Sequence, residues 1–134
     1  IAGDIVPNPE EVDSWQWLPG ADVLRAVEAL RAELADAPFA APAAGRLPEL
    51  GLDRRTTAAA DKAGLLLVLE PGVVLLAGAD DEAAQRLAEL PQPFTLSEAR
   101  QELGTTRRVA VPLLEHLDAL GVTRRVDGTR RELR

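Results

Sequence analysis

The heptapeptide Glu49-Leu50-Gly51-Leu52-Asp53-Arg54-Arg55 returns 53 positions later as Glu102-Leu103-Gly104-Thr105-Thr106-Arg107-Arg108, with five of seven residues identical. The flanks of the two copies also correspond. Val23, Val27, Leu30 and Leu34 precede the first at helical spacing; Ala83, Leu87 and Leu90 precede the second. Asp22, and Asp80 or Asp81, stand where N-caps belong. Pro38 and Pro91 end these helices, and each is followed by a short extended piece holding Phe39 or Phe94. Thr95-Leu96-Ser97-Glu98 has the form of a capping box, so a helix is expected to run to Leu103 and close on a left-handed Gly104.

Beyond each copy a further helix leads to Gly64 or Gly121 and then to a hairpin. The first hairpin joins residues 65–69 to 73–76 through Pro71-Gly72. The second joins 122–126 to 129–133 through Asp127-Gly128, a dipeptide that favours a two-residue type I′ turn. The last helix, from about Arg107 to Leu120, carries Val109, Leu113, Leu117 and Leu120 on one stripe, with a bend expected at Pro112. Each unit thus reads as helix, short strand, helix, tight turn, helix, hairpin: a helix-turn-helix followed by a wing, present twice. The expected class is α+β, mainly α, with two tandem winged-helix modules. Residues 1–20 form a connector or the end of a preceding module, 21–78 the first winged helix, and 79–134 the second. Residues 1–6 suit the final strand of a preceding unit.

The 134 residues hold only four aromatic side chains, Trp15, Trp17, Phe39 and Phe94, so the cores must be aliphatic. The absence of cysteine excludes a disulfide framework and thiolate metal sites, and fits a reducing cytoplasm. No apolar run reaches the length of about 20 residues that a membrane helix needs. A chain that opens on Ile1 and lacks methionine is expected to be a piece of something longer, and as a fragment to be monomeric.

The net charge is −7, yet residues 104–134 hold seven arginines against four acids, leaving +3 at that end and −10 elsewhere. Such a molecule meets a polyanion in one orientation, because its far side repels it. Arg124, Arg125, Arg130 and Arg131 flank the second hairpin's turn, and Arg107 and Arg108 open the preceding helix. Arginine at a helix start opposes the macrodipole and suits a bound phosphate. The first hairpin is apolar on both faces and should be buried against a neighbour. Arg54 and Arg55, without a basic wing, read as structural or as ion pairs between modules. Past Arg108 the final helix presents Ala110, Val111, Glu115 and Asp118, a poor set for reading a DNA major groove. An RNA loop, whose splayed bases stack on guanidinium planes, fits better. A duplex-DNA regulator and a protein-binding scaffold are the competing readings.

Three runs in order resemble the last winged helix of the bacterial selenocysteine-specific translation elongation factor SelB. They are Phe94-Thr95-Leu96-Ser97-Glu98; Leu103-Gly104-Thr105-Thr106-Arg107-Arg108-Val109-Ala110-Val111-Pro112-Leu113-Leu114-Glu115-His116-Leu117-Asp118; and Gly121-Val122-Thr123-Arg124-Arg125-Val126. A looser likeness reaches back to about Trp17. The resemblance implies a GTPase region elsewhere in the protein that carries selenocysteyl-tRNA. It makes this stretch the part that holds the factor to the selenocysteine insertion (SECIS) hairpin of an mRNA, so that UGA is read as selenocysteine at the ribosome. By position Arg107, Arg108, Arg124, Arg125 and Arg130 match the family's RNA-facing surface. Arg131, in the more variable second wing strand, together with Thr105 and Thr106 beside the helix start, completes the expected site. No GTPase phosphate-binding motif occurs in the sequence, and no catalytic residue, cofactor or metal is expected here. His116, the single histidine, reads as an ordinary helix-flank residue. Trp15 and Trp17, in an acidic stretch, read as packing against the first module rather than stacking on RNA.

Overall fold

The computed structural model describes residues 20–134; the expected connector with its strand over 1–6, and Trp15 and Trp17, lie outside the described residues. The first module begins with α1 (Ala21–Glu33), passes through two 3-10 turns (Ala44–Arg46 and Pro48–Leu50), and continues with α2 (Arg54–Lys62), β1 (Leu66–Glu70) and β2 (Val73–Leu76). The second contains α3 (Ala79–Leu87), β3 (Phe94–Thr95), α4 (Leu96–Leu103), α5 (Arg107–Ala119), β4 (Thr123–Arg125) and β5 (Arg130–Leu133). β1 and β2 form an antiparallel pair, and the other sheet has the order β3-β5-β4.

The sequence repeat is a repeat of hydrogen bonds. Gly51 and Gly104 both take left-handed backbone, at φ 90° and 62°, and close the segments before them. Leu52 N–H reaches back to the Leu47 carbonyl as Thr105 N–H does to that of Arg100, at 2.8 and 3.1 Å. After the third helices the correspondence continues at an offset of 57. Leu65 N–H donates to Ala60 and Val122 N–H to Leu117, both at 3.0 Å.

The modules differ where their local sequences differ. In the second, Thr95 accepts from Glu98 N–H while the Glu98 carboxylate accepts from Thr95 N–H, so the expected capping box forms and α4 runs unbroken. Thr95→Ala should cost about 1 kcal/mol in a denaturant titration, the usual value of such a cap. The aligned positions of the first module are Pro42 and Gly45, and Pro48 stands where Gln101 continues α4. Pro42 has no cap oxygen, and Pro48 lacks the N–H that a continuous helix would use. The second helix expected there is replaced by the two 3-10 turns. The short strand expected after Phe39 is also missing.

Two other expectations are corrected, those for the helix caps and for the second hairpin's turn, while the first hairpin turns where expected. The N-caps of α1 and α3 are Gly20 and Gly78, so Asp22, Asp80 and Asp81 fall in the first turn, where carboxylates favour the helix dipole. Pro71-Gly72 makes a tight turn, with Gly72 at φ 87° as its second central residue. Asp127-Gly128 does not form a type I′ turn: residues 126–129 form a wider loop in which Gly128 is not left-handed. The cause is the Asp127 carboxylate, which accepts from Thr129 N–H at 2.8 Å, Arg130 N–H at 2.9 Å and the Arg130 guanidinium at 2.8 Å. Those bonds, the Thr129 N–H foremost, hold the carboxyl down to about 2. A lowered folded-state value means that this contribution is present above the usual carboxylate range and is lost as pH falls toward about 2.

One continuous set of buried apolar side chains runs through both modules, from Val23, Leu30 and Phe39 through Leu75 to Leu87, Phe94, Leu113 and Leu117. The first hairpin has its buried face in this core and meets α5 of the second module. The junction is polar as well. The Thr105 hydroxyl donates to the Phe39 carbonyl, the Arg86 guanidinium lies 5.2 Å from the Phe39 ring centroid, and Arg108 donates to the carbonyls of Ala41, Pro42 and Gly72 at 2.8, 3.0 and 3.3 Å. The carbonyls of Ala41 and Pro42 occupy the place of the strand residues Phe94 and Thr95, and are satisfied by an arginine instead of a sheet partner.

Candidate nucleic-acid interface

The wing distributes its arginines by strand alternation. Thr123 pairs with Leu133 and Arg125 with Arg131, while Arg124 pairs with Glu132 between them. Directly opposite residues share a face and successive ones alternate, so Thr123, Arg125 and Arg131 look toward the helices and Arg124 looks away. The outward arginines are neutralised locally: Arg124 Nε donates to Glu132 at 2.7 Å and Arg130 to Asp127 at 2.8 Å. The inward ones enter a cleft of about 590 Å³ between the wing and the starts of α4 and α5. Its charged lining is Arg100, Arg107, Arg125 and Arg131, and no acid lines it.

Arg100, Arg107 and Arg125 have no ion pair or side-chain hydrogen bond among the described residues. Arg131 is held: its Nε donates to both Asp118 oxygens, at 3.0 and 3.3 Å, and its side chain is 12% exposed. Two arginines directly opposite on one sheet face repel each other. With a single carboxylate near them, the cleft is left with an uncompensated positive field that an anion would relieve.

The eight residues singled out from sequence therefore divide. Arg107, Arg125 and Arg131 come together in the cleft. Arg124 and Arg130 lie on the outer face of the wing with acidic partners. Thr106 is the exposed N-cap of α5 without a side-chain cap bond. Thr105 is buried and Arg108 is turned into the module junction, because the carbonyls of residues 39–42 lie within reach. Arg100 was missed. It precedes the arginine-rich stretch, and its only signal was a place on the amphipathic helix α4, seven residues before Arg107.

The first module has a cleft in the same place; much of its lining aligns with the second's, but Asp53 and Asp61 line it as well. Leu47, Val68 and Val74 stand where the second has Arg100, Arg125 and Arg131, and Arg54 stands in the place of Arg107. Arg54 and Arg55 make no ion pair across the junction among the described residues, contrary to the ion-pair reading of that pair. Along α5 Ala110 is fully buried, Val111 lines the cleft, and Asp118 is engaged with Arg131, so of the residues expected on the open face Glu115 alone is exposed. His116 joins Asp80 across α3 and α5 at 3.1 Å. Among the described residues no group of three acidic, histidine or cysteine side chains could hold a metal ion, and no helix is long and apolar enough to cross a membrane.

A helix-turn-helix closed by a two-stranded wing defines a winged-helix protein; the second module has it complete, with the basic cleft, and the first has two 3-10 turns in place of the middle helix. Residues 85–131 match the family model for the winged helix of elongation factor SelB. No curated protein matches the chain. Among solved structures, a bacterial selenocysteine-specific elongation factor, EF-Sec, is similar at a TM-score of 0.67 and 20% identity, over 95% of this chain and 20% of that one. The mRNA-binding domain of elongation factor SelB from E. coli, solved in complex with SECIS RNA, is similar at 0.60 and 24% identity, over 81% of this chain and 97% of that one. The chain thus spans about a fifth of the length of EF-Sec.

Proposed function

We propose that this chain is an mRNA-binding segment of a selenocysteine-specific elongation factor, with 79–134 as the RNA-binding unit and 21–78 as its support. The unit would recognise an RNA stem-loop of the SECIS kind, and a GTPase region elsewhere in the protein would carry selenocysteyl-tRNA to UGA at the ribosome. The segment's own part is binding, without catalysis. The observation that carries this reading is the acid-free cleft holding Arg100, Arg107, Arg125 and Arg131. The corresponding cleft, mainly apolar and with Asp53 and Asp61 beside its one arginine, supports a structural role for the first module. The largely buried or acidic face of α5 favours a looped RNA over a DNA major groove.

The test is fluorescence anisotropy of the chain with a SECIS-type RNA stem-loop and with duplex DNA, each over a series of salt concentrations. Tighter binding of the stem-loop at every salt concentration is expected, with a linear fall of log affinity with log salt. Equal affinity for both, or for neither, contradicts the reading. Arg54→Ala should leave stem-loop affinity within about twofold, since its cleft is mainly apolar and holds two acids.

A further inference from the structure

We propose that Asp118 and Thr123 are positioning residues that hold Arg131 at the cleft floor as a reader of an RNA loop base, while Arg100, Arg107 and Arg125 meet phosphates. The inference rests on the RNA reading above.

Asp118 accepts from the Arg131 Nε at 3.0 and 3.3 Å and from the Thr123 hydroxyl, and Thr123 is 1% exposed. Three elements are tied by one carboxylate: α5 through Asp118, β4 through Thr123 and β5 through Arg131. With Nε committed to Asp118, the two Nη groups of Arg131 have no protein partner. No buried side-chain nitrogen or oxygen among the described residues lacks a hydrogen bond, so these Nη groups open into the cleft that Arg131 lines. A guanidinium locked on one edge presents its remaining donors as a planar fork of fixed direction. That geometry suits two acceptors on a base edge and loses little rotamer freedom on binding. The other three arginines are unheld point charges, and such contacts attract a backbone without reading sequence.

The first module supplies an internal comparison. The positions of Asp118, Thr123 and Arg131 are filled there by Asp61, Leu66 and Val74. The acid persists while the hydroxyl and the guanidinium are gone, and with them the counterparts of Arg100 and Arg125; of the cleft arginines only that of Arg107 is kept, as Arg54. The Asp-Thr-Arg relay occurs only with the basic cleft, which a role in holding the hairpin to the last helix would not require: β1 stays packed on α2 without it.

The experiment measures the full 134-residue chain and its Asp118→Asn, Thr123→Val and Asp118→Glu variants against a SECIS-type stem-loop and against versions with one loop base removed at a time. Asp118→Asn is expected to reduce the preference for the intact loop over its most damaging abasic version by about tenfold, within the range of one bidentate base contact. Its salt slope should match the parent's, because every phosphate-facing arginine is retained. Thr123→Val should reduce the preference in the same direction, and Asp118→Glu should restore part of it. Thermal melts of each variant separate misfolding from a positioning defect: a folded Asp118→Asn chain that keeps the parent's loop preference overturns the proposal. An equal loss of affinity for every loop also overturns it, as the mark of a structural role. A parent chain that does not distinguish loops at all overturns the RNA reading beneath it.

Discussion

Exchanging Arg107 and Arg125 together for alanine should weaken stem-loop binding by on the order of 10²-fold, at about 1–3 kcal/mol for each arginine that meets the RNA. Both side chains line the cleft, are exposed, and have no protein partner. Their removal strips the second module of half its cleft cations without breaking a hydrogen bond of the fold. Folding stability should therefore move by no more than about 0.5 kcal/mol. The slope of log affinity on log salt should fall by about one for each phosphate left without its arginine. The paired control is Arg124→Ala with Arg130→Ala, which removes the same formal charge from the outer face. Because Glu132 and Asp127 already neutralise those two, the loss should be several-fold smaller. Anisotropy titrations at three salt concentrations decide it, and equal losses from the two double variants would mean that net charge, not the cleft, governs binding.

Phe39→Ala is the second large effect, this time on stability. Phe39 is fully buried, its ring carries the Arg86 guanidinium at 5.2 Å, and its carbonyl accepts from Thr105 of the other module. Truncating a buried phenylalanine costs about 3–5 kcal/mol. For a chain of this size that lowers the melting temperature by roughly 10–20 °C. One buried set of side chains spans both modules, so calorimetry should show a single transition moved downward as a whole. A split into two transitions, with the second module's unmoved, would show instead that the modules fold independently.

Much of this architecture was legible because the repeat places the glycines and caps that punctuate it at matching positions. Gly51 with Gly104 and Gly64 with Gly121 close equivalent segments with positive φ, a preference of glycine visible in any sequence. The capping box at Thr95 and Glu98 needed nothing beyond a four-residue pattern. The failures have physical causes too. Symmetry between the copies suggested a second helix and a short strand in the first module; neither forms, and Pro42 and Pro48 deny the helix its cap and an N–H. Asp-Gly suggested a two-residue turn, but the Asp127 carboxylate found better donors in Thr129 and Arg130.

The cleft was less legible than the fold. The arginine cluster was visible, but the direction of each guanidinium depends on partners distant in sequence. Arg108 is turned aside by carbonyls 66 and 67 residues away, and Arg131 is captured by Asp118 13 residues back. Arg100 belongs to the site through the packing of α4 against α5, which its neighbours in sequence do not announce. The alternation of the wing strands, by contrast, is a property of the sequence itself and divides Arg125 and Arg131 from Arg124 and Arg130.

The most direct test of the account is an NMR titration that follows the arginine Nε–Hε signals of the intact chain as a SECIS-type stem-loop is added. The account predicts large shifts for Arg100, Arg107, Arg125 and Arg131, small ones for Arg124 and Arg130, and none for Arg54 and Arg55. Shifts concentrated on Arg54 and Arg55, or on the outer face of the wing with the cleft arginines unmoved, would contradict it.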